Sequence, residues 1–360
     1  MKVLKKIDIY IIKKFLGTYL FAILLILAIT VTFDMNEKID RFISNNAPVP
    51  AIIFDYYLNF IPYFANLFSP LFTFIAVIFF TSKLADNSEV IAMLSGGISF
   101  PRLMRPYLIS AAIIALFTFA LNSYVIPPAN VTRIKFQNKY IKDRSVDYAK
   151  NIQLEVSPGV VAYIGSYNDK TSTGRHFSLD KFEGKELVSK LTAQTITYDS
   201  INHWTINDYM IRNFIGMREY VEYGEKTDTV LRISPSDFLI SVNDCEQMKT
   251  PELRHYINRQ KDRGIGNIQL FEIEYHQRFS MTFAAFILTI IGASLSSRKI
   301  KGGMGFNIGM GLLLSFSYIL FMQVTSTFAI SGYVSPMIAV WIPNFVYAVI
   351  AVVLYRKAPR

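Results

Sequence analysis

The 360 residues carry 37 Lys and Arg against 27 Asp and Glu, a formal net charge of +10, while 52% of them are hydrophobic. The basic residues bracket long charge-free stretches instead of lying on a polar chain, so the excess charge reports membrane topology and excludes a nucleic-acid binder. One cysteine, Cys245, excludes an intramolecular disulfide, so any domain facing an oxidising compartment must rest on its own core.

In chain order, no Lys, Arg, Asp or Glu stands between Lys14 and Asp34, Asp55 and Lys83, Arg105 and Arg133, or Arg278 and Arg298. Each stretch holds the roughly 20 residues with which a helix crosses about 30 Å of hydrocarbon. The first shows no small-residue cleavage site, so we expect it to be retained. The stretch from Gly302 to Tyr355 is too long for one helix, and Ser331-Gly332-Tyr333-Val334-Ser335-Pro336 breaks it with turn residues. Six spans result, three on each side of an insert. Pro62, Pro70 and Pro343 are expected to bend their helices. Asn307 and Asn344 are expected to hydrogen-bond between helices or, beside Pro343, to satisfy a kinked backbone.

Between Ile126 and Glu274 there are 20 basic and 20 acidic residues, so the whole excess belongs to the membrane part. If the spans alternate, Lys2, Lys5, Lys6, Lys13, Lys14, Lys83, Arg102, Arg105, Arg298, Lys299, Lys301, Arg356, Lys357 and Arg360 share one side, opposed there only by Asp8, Asp86 and Glu89. The positive-inside rule makes that side, with both termini, cytoplasmic and places the insert outside the inner membrane.

The insert reads as seven strands: Ile152 to Val156, Gly159 to Tyr167, Arg175 to Phe182, Leu187 to Tyr198, Trp204 to Asn213, Met217 to Tyr223 and Thr227 to Ile233. That number suggests a sandwich or jelly roll. Thr250-Pro251-Glu252-Leu253 then opens a short amphipathic helix to about Arg263, ended by Gly264 and Gly266. From Ile268 a further helix carries Glu272, Glu274, His276 and Arg278 into the fourth span, and Pro127-Pro128 marks the junction at the other side of the insert. The fold class is thus an α-helical polytopic membrane protein with six transmembrane helices and an inserted all-β, jelly-roll-like domain. Its expected divisions are an N-terminal membrane half (1–128), a β-domain closed by a short helix (129–266) and a C-terminal membrane half (267–360).

Between the second and third spans, Leu84, Val90, Ile91 and Leu94 stand at helical spacing, with Asp86 and Glu89 near the start and Gly96-Gly97 as a stop. The pattern predicts a short helix over about 84–97 along the inner face. It is either an amphipathic interfacial helix whose acids complement its dipole, or a docking helix presenting Glu89 to a cytoplasmic partner.

At these residues the chain resembles the LptF/LptG permease family of the lipopolysaccharide export transporter. Asp86, Ser88, Glu89 and Gly97 fit that family's Leu-Ala-x-x-Ser-Glu-Val/Leu-x-x-Met/Leu-x-x-x-Gly segment. Arg278, Ile291-Gly292-Ala293-Ser294-Leu295, the opening Gly302-Gly303-Met304-Gly305 of the fifth span and Trp341-Ile342-Pro343-Asn344 are similar too. The first hundred residues lean toward LptG over LptF. The resemblance implies an inner-membrane permease of a Gram-negative bacterium, paired with a homologous second permease above a cytoplasmic ATPase dimer. Asp86, Ser88, Glu89 and Gly97 would then couple it to the ATPase. LptC/LptA-like β-jelly-roll proteins would receive lipopolysaccharide in the periplasm.

The same resemblance makes the first and fifth spans lateral gates. Gly302, Gly303, Gly305, Gly309 and Gly311 give the fifth a small-residue face, which packing within one subunit explains equally. Lys38, Arg41 and Arg278 are candidates for lipid phosphates, with snorkelling to headgroups as the alternative for the first two. Asp34 precedes Lys38 where some family members place basic residues.

The 360 residues contain no Gly-x-x-x-x-Gly-Lys-Ser/Thr loop, so ATP hydrolysis is expected in a separate subunit. Exposing the chains of a multi-acyl lipid to water would cost about 0.8 kcal/mol per methylene, hence tens of kcal/mol. An apolar cavity opening sideways avoids that cost. His176, His203, His255 and His276 lack metal-ligand spacing, and no catalytic residue, cofactor or metal is expected. Two alternatives stay open: a permease of another ABC-type lipid or lipoprotein export system, and a membrane-anchored periplasmic binding or scaffold protein. The former type usually has four spans with its large domain after the first, whereas this insert follows the third.

Overall fold

The computed structural model describes residues 5–141, 149–168, 171–200, 202–231, 233, 235, 242–262, 268–298 and 303–358. Contacts divide the chain into two compact units, one of Met1–Ile141, Glu246–Thr250 and Glu272–Arg360, the other of Lys142–Cys245 and Pro251–Phe271. Gly302, Gly264 and Gly266 lie outside the described residues.

Six helices of the described chain are long and apolar enough to cross a membrane. The first, α1 (Lys6–Ser44), has 39 residues, and Asp8 in its first turn accepts the Lys5 N–H at 2.8 Å. The second span joins α2 (Val49–Ala51), a π-helical segment (Ile52–Tyr57) and α3 (Leu58–Asp86). The third joins α5 (Phe100–Ala120), a second π segment (Leu121–Val125) and α6 (Ile126–Tyr140), and between these spans lies α4 (Glu89–Ser95). Past the sheet come α7 (Val242–Gln247), α8 (Thr250–Asp262), α9 (Gln269–Ser296), α10 (Gly303–Ile330) and α11 (Pro336–Lys357).

Two helix boundaries differ from those expected. The third span does not stop at Pro127-Pro128 but runs on to Tyr140. Neither proline has an N–H, and each ring would collide with the carbonyl four residues back. The π-widened segment just before them moves those carbonyls away, so the helix continues. In the second span's π segment, the Asn59 amide donates to the carbonyls of Phe54 (2.9 Å) and Asp55 (3.0 Å). The other difference is that residues 84–97 are not one helix. Leu84 and Asp86 end α3, Ser88 turns left-handed at φ 63°, and α4 starts afresh at Glu89.

Three apolar clusters hold the membrane unit. One gathers Ile11 and Phe15 of α1 with Val77, Phe80, Val90, Phe100, Leu103 and Tyr107. A second joins Phe74 and Ile78 to Leu288, Ile291, Tyr318 and Val340. A third is aromatic, with Phe42, Tyr56, Tyr57, Phe60 and Phe136. Gly292 admits α3 closely, since a Cβ there would stand 2.9 Å from Val77 Cγ1 and 3.0 Å from the Phe74 ring.

Polar side chains within the spans bond to one another, as apolar surroundings demand. Asn344 donates to the Ser280 carbonyl (2.8 Å) and hydroxyl (2.9 Å) and accepts from Tyr318 (2.8 Å), and Asn307 donates to Ser82 at 3.0 Å. Both asparagines therefore join helices, as the sequence suggested.

In the other unit, β1 (Ala149–Ser157), β2 (Val160–Asn168), β3 (Thr173–Glu183), β4 (Glu186–Ser200), β5 (His203–Ile215) and β6 (Arg218–Val230) form one antiparallel sheet in sequence order. The all-β expectation holds, but in finer detail it is corrected. The segments at 217–223 and 227–233 are one continuous strand, and the six described strands form a meander without Greek-key crossovers. Tight hairpins explain the order: Gly184 at φ 65° and Gly216 at φ 60° supply the left-handed turns between β3 and β4 and between β5 and β6. Alternation buries Ala162, Ile164, Phe177, Ile196, Trp204 and Ile206 on one face, and the Trp204 indole donates to the Ile233 carbonyl at 3.1 Å. Cys245 is buried in this unit.

Candidate functional site

The connection between the second and third spans is bounded by two left-handed residues, Ser88 (φ 63°) and Gly97 (φ 83°). Backbone N–H groups of Gly96, Gly97 and Ile98 close α4 by bonding to the carbonyls of Ala92, Leu94 and Met93. Val90 is buried, whereas Asp86, Ser88, Ile91, Ala92, Ser95 and Gly97 are exposed. The four residues proposed for coupling thus sit on one short surface segment, three of them exposed and Glu89 half-buried.

Glu89 is not free. It accepts from the Tyr10 hydroxyl of α1 at 3.1 Å and from the Asn87 amide at 3.4 Å. Close by, Arg102 grips Asp8 through two parallel hydrogen bonds of 2.7 and 2.6 Å, and Asp8 is only 2% exposed. Such a fork-to-fork pair is both strong and directional. A cavity of about 200 Å³ lies alongside, lined by Lys5, Asp8, Ile11, Gly97, Ser99 and Arg102 among others. Sequence reasoning missed these contacts. The one available signal was Asp8, a lone acid in a lysine-rich start.

At the other end of α1, Lys38 pairs with Asp34, donates to the Tyr56 hydroxyl at 2.6 Å and lies 5.2 Å from the centre of that ring. Arg41 is exposed and donates to the Ile141 carbonyl at 3.2 Å. Arg278 is enclosed, at 2% exposure. Its guanidinium donates to Glu274 (2.9 Å), the Met248 carbonyl (2.9 Å) and the Thr250 hydroxyl (3.0 Å). The three basic residues are not brought together.

A second polar knot surrounds Glu246. Tyr63 donates to it at 3.3 Å, the Asn130 amide reaches its carbonyl at 3.3 Å, and Arg133 stands 3.7 Å away, stacked 4.2 Å over the Tyr63 ring. Burial, reinforced by the Glu274 charge, pushes the Glu246 carboxyl above the ordinary carboxylate range, and Arg133 opposes the shift only in part.

Gly305 and Gly309 are exposed, and a Cβ at either would meet nothing within 4 Å. Gly311, by contrast, packs against Ile78. The small-residue face of the fifth span is therefore divided between a contact inside the chain and an open stretch. Gly303 begins α10.

Six apolar helices, an inserted antiparallel sheet and a short surface helix between the second and third spans define a multi-pass membrane protein of the transporter-permease class. The family model described as lipopolysaccharide export system permease LptF/LptG matches residues 9–357, and the chain belongs to that family. It is a permease for lipopolysaccharide export, a multi-pass inner-membrane component of a multi-subunit transporter. No curated protein matches the chain.

Proposed function

We propose that this permease is half of an ATP-driven exporter, paired with a homologous second permease and moved by a cytoplasmic ATPase dimer docked on Asp86, Ser88, Glu89 and Gly97. The observation that carries the reading is the α4 segment: short, bounded by left-handed residues at both ends, and exposing Ile91, Ala92 and Ser95 near the lysine-rich end of α1. The charge distribution supports cytoplasmic termini and a periplasmic sheet.

Lipopolysaccharide would enter the shared cavity through a side opening bordered by the first and fifth spans. The apolar, thinly covered middle of α1 and the open Gly305 to Gly309 stretch support that route. Lys38 and Arg41 are the proposed phosphate contacts at its outer end. Arg278 would have to give up three hydrogen bonds to join them, so it serves here as an anchor. The lipid would pass to LptC/LptA-like sheets by strand addition at β1 or β6, the edge strands of the described sheet. The lean toward LptG is part of the proposal.

Co-purification from detergent extract tests the reading. An ATPase should accompany the protein, and Glu89→Lys should abolish its export activity. An intact Glu89→Lys exporter, or a preparation with no ATPase, would refute it.

A further inference from the structure

The first span is attached unevenly. In its most apolar stretch only 17% of residues are buried within the chain, and Leu20, Phe21, Leu24, Leu25, Ile29 and Phe33 are all exposed. Its base is different. Ile11 and Phe15 are fully buried in the cluster that also holds Val90 of α4 and Phe100, Leu103 and Tyr107 of α5. Two polar links act at the same level: Arg102 holds both oxygens of Asp8, and Tyr10 donates to Glu89.

The mechanical consequence follows from where the backbone can turn. Ser88 and Gly97, both at positive φ, turn the chain on either side of α4, so α4 is not continuous with the spans it connects. What it cannot do without breaking contacts is leave the base of α1, since Val90 and Glu89 both face that base. Asp8, bound at both oxygens, would lose a directional two-bond pair if pulled from Arg102. A push on α4 is therefore delivered to α1 instead of being absorbed in the loop.

We infer that Asp8, Arg102 and Tyr10 are positioning residues for transport, forming a strut in which Tyr10 takes up movement of α4 through Glu89 while the Asp8 to Arg102 pair holds the base of the first span on α5 as its pivot. The inference rests on the ATPase-coupling reading above and names the route taken inside this chain.

The test uses the whole transporter with its co-purified ATPase in lipopolysaccharide-containing proteoliposomes, and reads lipid released per ATP hydrolysed. Asp8→Asn and Arg102→Ala should keep ATP hydrolysis while the ratio falls by about fivefold or more, the lower end of ordinary coupling between sites. The exchange of Asp8→Arg with Arg102→Asp should recover most of the ratio. Tyr10→Phe, which keeps the ring and loses the donor, should cause a smaller fall. A merely structural role would instead lower assembled protein, hydrolysis and export together, with no recovery in the exchange. Single variants with the wild-type ratio, or that proportional loss, would overturn the strut. If Asp8→Asn fails to assemble, the exchange and Tyr10→Phe decide. Failure of the coupling reading itself looks different: the wild type lacks an ATPase, or Glu89→Lys exports normally.

Discussion

The two membrane halves each contribute three spans, but they are built differently. The N-terminal spans run to 39, 38 and 41 residues, the C-terminal ones to 28, 28 and 22. At 1.5 Å per residue the former approach about 60 Å, twice the hydrocarbon thickness, so their ends must stand in water. Those ends carry the Asp8 to Arg102 pair, the Tyr10 to Glu89 bond, the Lys38 to Asp34 pair and the long α6. The C-terminal half is knitted at its centre, where Asn344, Ser280 and Tyr318 bond across three helices and Gly292 lets α3 approach. The first span has a polar link nearer its middle too, Tyr19 to Ser69 at 2.7 Å, but as a single bond and not a network across three helices. On the proposed coupling route, the N-terminal half would be the moving part and the C-terminal half the frame.

Substitutions sharpen or break that contrast. Arg278→Ala strands Glu274 and frees the 248–250 segment, and should cost about 3–5 kcal/mol, the range for removing one partner of a buried pair. Thermal unfolding in detergent checks it, and an unchanged midpoint would remove the frame argument at the fourth span. Gly292→Ala should cost about 1–3 kcal/mol, because Val77 and the Phe74 ring must shift. Gly309→Ala should be neutral or stabilising by up to about 1 kcal/mol in this chain by itself. If Gly309→Ala slows export at unchanged stability, the open stretch is a contact with another subunit.

Asn344→Leu should lose about 1–2 kcal/mol, because Asn344 carries three hydrogen bonds and each is worth about 0.6 kcal/mol between membrane helices. The smallest effect concerns pH. The folded Glu246 carboxyl takes up its proton more readily than an ordinary carboxyl, so the folded state binds more protons as pH rises from the ordinary carboxylate range to the raised value. Stability contributed by this group is therefore greatest in acid and falls across that window. Glu246→Gln should flatten that part of the pH profile of unfolding, and a profile identical to wild type would show that Glu246 does not titrate there.

Much of this architecture was legible because it depends on local composition. Gaps between charges marked all six spans, and β-branched segments between Gly, Asn and Asp marked the strands. Where legibility failed, the determinant was an interaction over distance or a single dihedral angle. The segment at 84–97 has one continuous helical pattern, and only the left-handed Ser88 cuts it in two. Pro127-Pro128 reads as a stop, yet the widened turn before it carries the helix on. Arg278 reads as an outer-mouth cation, while the oxygens that enclose it come from Glu274 and from residues 248 and 250.

Hydropathy and charge by themselves determined that this chain crosses the membrane six times, which ends carry the positive charge, and that a neutral β-rich insert interrupts it, because each is a transfer free energy summed over neighbouring residues. The tertiary structure alone decided which charges are spoken for. Asp8 with Arg102 and Tyr10 with Glu89 are 94 and 79 residues apart in the chain. Their pairing depends on how α1 packs against α4 and α5, which no local pattern encodes.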